Sequence, residues 1–178
     1  FTTGGRSVVS GHILSDKMDI FAGNERGPNF LLINQNGRFK DRAIEFGVDD
    51  TLQNGRGATL TDILYRGQLD IVLGNWNGYH RIYAKKNASF LDLSTREFRK
   101  PSKIRTVISA DFDNDGYDEI FLNNIGEPNR LFKVGDGGQL TELEISSALE
   151  PEGFGTGAAV ADLDLSLIHI SEPTRQLQ

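Results

Sequence analysis

The sequence contains no cysteine and has few of the residues that mark several common protein classes. Among its 178 residues are five Pro, one Met and one Trp. The absence of Cys excludes disulfide bonds, thiolate chemistry and Cys-based zinc sites. No apolar run approaches the roughly 18 residues that would suggest a membrane span. The net charge of −6 disfavours a general role in nucleic-acid binding.

What the sequence does contain is typical of a globular chain with many turns. It is 38% apolar and 25% charged and has 20 Gly, which argues against disorder. Its first residues, FTTGG, include no Met and no signal-peptide pattern. We therefore expect the chain to begin within a longer protein.

An internal repeat with a period of about 50 residues organises the chain. Three similar stretches, GNERGPNFLLIN, GNWNGYHRIYAK and NNIGEPNRLFKV, begin at Gly23, Gly74 and Asn123. Pro28, Tyr79 and Pro128 keep the same spacing, and Arg6, Arg56 and Arg105 open the units at nearly the same spacing. We expect a repeat region over residues 1–164, with units at about 4–52, 53–102, 103–152 and 153–164.

Each unit reads as four short strands separated by turns. In the third unit the strands are RTVISADF, EIFLNN, NRLFKV and LTELEI, and the turns are NDGYD, IGEP and GDGG. Four strands in a repeat of this length are typical of a β-propeller blade. The sequence therefore predicts an all-β fold, a partial β-propeller of about three blades and the start of a fourth, with one helical turn over 41–48. A β-sandwich whose units are similar by accident is the alternative.

The strongest chemical signal is the acidic segment DFDNDGYDE. Carboxylates stand at its positions 1, 3, 5 and 9, which are Asp111, Asp113, Asp115 and Glu119, and Gly116 permits a sharp turn. Hard oxygen ligands in this number suit Ca²⁺, and the main-chain carbonyl of Tyr117 is a natural further ligand. An EF-hand needs a Glu at position 12 and flanking helices, whereas this segment lies between predicted strands. An acidic turn without metal is the alternative.

The equivalent segments of the other units differ in their ligands. In unit two the positions hold Asp62, Leu64, Arg66 and Asp70, and we expect Arg66 to lie between the two acids and to replace the charge of an ion. In unit one they hold Gly11, Ile13, Ser15 and Asp19, so no metal is expected there. In unit four Asp162 and Asp164 supply positions 1 and 3, a partial second site.

These residues resemble known repeats. DFDNDGYDE followed by a strand is similar to the FG-GAP/VCBS calcium repeat of integrin-α-type β-propellers. Longer segments, above all LDIVLGNWNG and ALEPEGFGTG, resemble the propeller of the cartilage acidic protein family, also called ASPIC/CRTAC. The resemblance implies an extracellular calcium-binding propeller in secreted or matrix-associated glycoproteins that act in adhesion and binding. It carries the calcium role to Asp111, Asp113, Asp115 and Glu119, although Glu replaces the usual Asp at position 9.

The sequence thus predicts a calcium-binding extracellular module for protein or glycan partners, and not an enzyme. No catalytic triad or HExxH spacing includes His12 or His80. The alternative is a propeller-based lectin or enzyme whose active face lies in further blades, since fold alone does not separate these. A lectin should repeat one aromatic pocket per blade, but Trp76 aligns with Glu25 and Ile125.

Three further segments carry expectations of their own. The sequon Asn87-Ala88-Ser89 is a candidate N-glycosylation site. The basic segment 95–105 suggests either a patch for acidic partners or a solvated loop between blades. The tail, residues 165–178, contains LSLIHISEPTR, which resembles a translated sequencing adapter, and we expect it to be non-native.

Overall fold

The structure of the chain is a computed structural model, which describes residues 4–87, 89–144 and 153–161. Its strands form three four-stranded antiparallel sheets that follow one another along the chain, each in simple meander order. The first sheet holds β1 (Gly4–Gly11), β2 (Asp19–Glu25), β3 (Phe30–Gln35) and β4 (Arg38–Asp41). The second holds β5 (Gly55–Thr61), β6 (Asp70–Asn75), β7 (Arg81–Lys86) and β8 (Ser89–Asp92). The third holds β9 (Ile104–Ala110), β10 (Glu119–Asn124), β11 (Arg130–Gly135) and β12 (Gln139–Leu143).

These sheets are propeller blades, and the predicted all-β fold class is confirmed. The predicted helical turn is α1 (Ala43–Phe46), which follows β4. It ends at Gly47, whose φ of 70° is left-handed and suits a residue without Cβ. None of the helices in the described part of the chain is long and apolar enough to cross a membrane.

The core lies between the blades rather than within any one of them. All six residues of β6 are buried, because both faces of the middle blade are covered. Alternate side chains of a strand point to opposite faces. Ile71 and Leu73 therefore pack in a cluster with the first blade, whereas Val72 packs in a cluster with the third. By contrast, all four residues of β4 are exposed.

The first strands of the blades, β1, β5 and β9, pack against one another in order. Gly57 of β5 marks the closest approach. A Cβ at this position would lie 2.6 Å from the main-chain nitrogen of Val107 and 2.9 Å from the carbonyl carbon of Thr106. Only Gly permits this contact, so the glycines of NGRG serve the packing of adjacent blades and not a phosphate loop.

The same hydrogen-bonded turn recurs in all three blades after the second strand. The Asn that ends or nearly ends that strand donates its side-chain amide to a carbonyl four residues later, at 2.7 Å in each blade. The main-chain N–H of the same Asn donates to the side chain of the residue five positions later, at 2.8 to 3.0 Å. The donors are Asn24, Asn75 and Asn124, the carbonyls belong to Pro28, Tyr79 and Pro128, and the side-chain acceptors are Asn29, His80 and Asn129.

Strand pairing also corrects the sequence alignment of the first unit. The last pair before the loop is Gly11↔Asp19 in blade one, Thr61↔Asp70 in blade two and Ala110↔Glu119 in blade three. Gly11 therefore belongs to β1, and the residue equivalent to Asp111 is not Gly11. The loop of blade one is one residue shorter than the other two.

Candidate metal site in the loop between β9 and β10

The acidic segment forms the loop that connects β9 to β10 in the third blade. Asp111, Asp113 and Asp115 each offer one carboxylate oxygen, and these three atoms lie within 4.8 Å of one another. They are the only such group of metal-ligating side chains in the described ranges 4–87, 89–144 and 153–161. The sequence therefore brings together three of its predicted ligands.

Main-chain geometry folds the loop around these carboxylates. Asn114 and Gly116 adopt left-handed conformations, with φ of 59° and 90°, which Asn tolerates and Gly favours. The turn aims main-chain N–H groups at the acids: Asp115 donates to Asp111 at 3.1 Å, and Gly116 donates to the same carboxylate at 3.0 Å. Asp115 in turn accepts from the N–H of Tyr117 at 2.9 Å.

A lysine that sequence reasoning missed completes this cluster. Lys133 of β11 places its Nζ against the carboxylates of Asp113 and Asp115, 2.6 Å from Oδ2 of Asp115. The hydrogen bonds to both acids raise the pKa of Lys133, and the bond from Lys133 lowers the pKa of Asp115. The loop thus already attracts a cation, supplied by the neighbouring strand.

Glu119 lies beside the three aspartates but outside their cluster. Its side chain is buried, with 1% exposure, and Oε2 accepts the N–H of Phe112 at 2.8 Å. Oε1 is buried and has no hydrogen-bond partner among the described residues. Burial raises the pKa of Glu119, and the charges of Asp113 and Asp115 add to this effect. An unsatisfied buried carboxylate oxygen next to three acids fits a site for a cation.

Tyr117 and Asp118 connect the loop to its surroundings. The hydroxyl of Tyr117 donates to Asp136 at 2.5 Å, and its ring packs edge-on against Tyr65 of blade two at 4.1 Å. Asp118 accepts the hydroxyl of Thr61 at 2.7 Å and donates its N–H to the Tyr65 oxygen at 2.5 Å. The acidic loop therefore forms part of the junction between the second and third blades.

The equivalent loop of blade two contains its own cation. The guanidinium of Arg66 donates to the buried Asp70 at 3.1 Å and to the carbonyl of Lys85 at 2.6 Å. Asp62 accepts main-chain N–H groups instead, from Arg66 at 3.0 Å and Gln68 at 3.2 Å. Arg66 thus contacts only one of the two acids through its charged group, and the other acid is held by the backbone.

In blade one, main-chain and hydroxyl donors take the place of a cation. The buried carboxylate of Asp19 accepts from the N–H groups of Leu14, Ser15 and Asn34, at 2.8 to 2.9 Å, and from the Ser15 hydroxyl. Burial alone would raise the pKa of Asp19, but these hydrogen bonds outweigh it and the pKa is lowered. Asp162 and Asp164, the partial second site, lie outside the described residues.

His80 and Ser102 are close enough to suggest a catalytic pair, but their hydrogen bonds oppose that role. Nδ1 of the buried His80 accepts the N–H of Asn75, so Nε2 carries the proton and faces the Ser102 hydroxyl at 2.9 Å. That hydroxyl donates to Asn124 at 2.8 Å. Burial lowers the pKa of His80 to about 3. Because Nε2 is protonated, His80 does not act as a base on Ser102; it links blade two to blade three.

The fold and this loop are those of a β-propeller segment, and part of the chain matches a known repeat family. Residues 62–122 match the family model of the FG-GAP-like repeat, a range that includes the loops of both the second and third blades. The predicted resemblance to the cartilage acidic proteins is confirmed. The chain is 50% identical to cartilage acidic protein 1 of Mus musculus and of Homo sapiens over 177 residues, and 48% identical to that of Xenopus tropicalis over 176. These matches cover 91% of the chain but only 27% of each relative.

Proposed function

We propose that this chain is a calcium-binding segment of an extracellular β-propeller that acts in protein binding or adhesion rather than in catalysis. The observation that carries the proposal is the convergence of carboxylate oxygens of Asp111, Asp113 and Asp115 within 4.8 Å of one another. Oε1 of the nearby Glu119 has no hydrogen-bond partner among the described residues. The calcium ion has a structural role, because the loop that would hold it joins two strands and contacts the adjacent blade.

The chemistry of the loop favours a divalent ion over the lysine found there. Two unit charges 4 Å apart repel by about 1 kcal/mol in water and about 4 kcal/mol at an effective dielectric constant of 20. A lysine supplies one positive charge and no coordination sphere. Ca²⁺ supplies two charges and accepts six to eight oxygen ligands. Its ligands here are the side chains of Asp111, Asp113, Asp115 and Glu119 and the carbonyl of Tyr117.

The extracellular setting is supported by the relatives and by calcium chemistry. The relatives are named as cartilage acidic proteins, and extracellular modules bind Ca²⁺ at roughly 0.1 to 1 mM. We propose Asn87 as a glycosylation site in this setting. Its side chain is exposed, and with φ of 55° it lies in the turn between β7 and β8.

Calorimetric titration of the full chain with Ca²⁺ tests the proposal. Wild type should bind, and Asp113→Ala should reduce the affinity at least 10-fold because it removes one of four acidic ligands. Asp16→Ala is the matched control: it removes an exposed Asp from the corresponding loop of blade one and should leave binding unchanged. Equal calcium binding by wild type and Asp113→Ala would refute the assignment of this loop.

A further inference from the structure

The first strand of every described blade carries an arginine in a β-bulge. The register of strand pairing shifts between Gly5 and Ser7 in β1, between Gly55 and Gly57 in β5, and opposite Asn123 and Asn124 in β9. The extra residue in each case is an arginine: Arg6, Arg56 and Arg105. A bulge redirects the side chain of its extra residue, so the repeat presents one guanidinium per blade near the start of its first strand.

Residues at the ends of the second strands separate these arginines. Glu25 pairs with both Arg6 and Arg56, at 2.7 Å and 2.8 Å. In the next blade Trp76 takes the equivalent position. The guanidinium carbons of Arg56 and Arg105 lie 5.2 Å and 4.7 Å from the centroid of its ring, the distance of a cation–π contact.

Arg6, Glu25, Arg56, Trp76 and Arg105 form a cluster, the arginine cluster, that has more positive than negative charge. Glu25 is the one acid that pairs with these three arginines among the described residues, and the position equivalent to it in blade three is Ile125. The Arg56 side chain is only 12% exposed. The Nε atoms of both Arg56 and Arg105 are buried without a hydrogen-bond partner in the described structure. Burial lowers the pKa of Arg56; the charge of Glu25 opposes this effect, whereas the charges of Arg6 and Arg105 add to it.

Two other cations of the basic segment 95–105 pair with acids. Arg99 pairs with Asp92 at 2.7 Å, and Lys100 contacts Glu97. Arg105 forms no ion pair with any residue that the structure describes and rests on Trp76 instead. Arg105 is therefore the partly buried cation of this segment that has no acidic partner among the described residues.

We propose that Arg56, Trp76 and Arg105 form a binding site for an oxyanion, a carboxylate or a sulfate group presented by a ligand. Guanidinium groups hold planar or tetrahedral oxyanions by paired, charge-assisted hydrogen bonds, and such a group offsets the excess charge of the cluster. The site lies near the start of β9, whereas the acidic loop follows the end of that strand. The two ends of β9 thus favour ligands of opposite charge. The site does not depend on calcium in the acidic loop.

The fluorescence of Trp76 tests this proposal directly, because it is the only Trp in the chain. The full chain is titrated with sodium acetate and, separately, with sodium sulfate, at an ionic strength held constant with sodium chloride. We expect a saturable change with at least one anion. Saturation by acetate alone identifies a carboxylate site, and tighter saturation by sulfate identifies a sulfate site.

Variants separate binding from a purely structural role of the cluster. Arg105→Gln should raise the half-saturating concentration roughly fivefold or more, because it removes a charged donor. Arg99→Gln, in the same segment but paired with Asp92, should respond as wild type does. Arg105→Lys keeps the charge without the planar fork and should fall between wild type and Arg105→Gln; it serves alone if circular dichroism shows that Arg105→Gln is unfolded. A response to neither anion, or one that none of the Arg105 variants weakens, would overturn the proposal.

Discussion

The loops that follow β5 and β9 occupy equivalent positions in adjacent blades but balance their acidic groups in different ways. In blade two the compensating charge, Arg66, belongs to the loop itself and pairs with a carboxylate that has no solvent exposure, that of Asp70. In blade three it comes from another strand, through Lys133, and pairs with acids at the surface, Asp113 and Asp115. Arg66 is thus a fixed cation at the edge of the core, whereas Lys133 is a cation that another ion can replace.

The difference is consistent with the calcium site proposed for blade three. A buried carboxylate needs a permanent partner, because an unpaired buried charge is costly. Exposed carboxylates are solvated and their pairs with lysine contribute little, so a divalent ion can replace the lysine without unfolding the loop. Loss of the metal pattern in blade two thus accompanies gain of an internal cation.

Removal of Arg66 should produce the largest effect on stability. Breaking one side of a buried ion pair costs roughly 3 to 5 kcal/mol, but Arg66 is 32% exposed and Asp70 keeps the N–H of Lys85 at 2.8 Å. We therefore expect Arg66→Ala to lower the free energy of unfolding by about 2 kcal/mol, as measured by urea denaturation without calcium. Lys133→Ala, the corresponding change in blade three, should have no measurable effect. Equal losses in the two variants would contradict the distinction between fixed and exchangeable cations.

Removal of Lys133 should instead change calcium binding. Its ammonium contacts two of the proposed ligands and competes with the ion. Lys133→Met keeps an unbranched side chain and removes the charge, so the affinity for Ca²⁺ should rise roughly 3- to 10-fold in calorimetric titration. Lys86→Met, at the exposed end of the equivalent strand of blade two, should leave the affinity unchanged. A fall in affinity would show that Lys133 holds the loop in its binding conformation rather than competing for it.

Much of the fold could be predicted because equivalent residues recur along the sequence at a regular spacing. The spacing of Pro28, Tyr79 and Pro128 matches carbonyls that accept the same hydrogen bond in each blade. The repeat spacing places the start of the blade-one loop one residue too early, because Gly11 pairs within β1 and the local sequence does not indicate where that pairing ends. Register, unlike strand existence, depends on the partner strand.

The site was predictable only as far as it is local. Asp111, Asp113 and Asp115 lie in one turn and could be predicted from their spacing. Lys133 is separated from Asp113 by 20 positions and lies in a different strand, so the spacing within the loop does not indicate it. The contacts of Asp118 with Thr61 and Tyr65 cross between blades, and sequence spacing carries no information on such contacts.

The smallest expected effect concerns whether charge alone distinguishes the two loops. Arg66→Asp removes the internal cation of blade two and adds an acid at position 5, but position 3 remains Leu64, where blade three has Asp113. Asp70 is also one methylene shorter than Glu119, its counterpart in the register of pairing. Calcium needs several converging oxygen ligands, so calorimetry of Arg66→Asp should show no binding beyond that of wild type. The double variant Leu64→Asp/Arg66→Asp restores acids at positions 1, 3, 5 and 9 and should gain a second, weak site. Calcium gained by the single variant would mean that the charge of Arg66, rather than the number of ligands, keeps this loop free of metal.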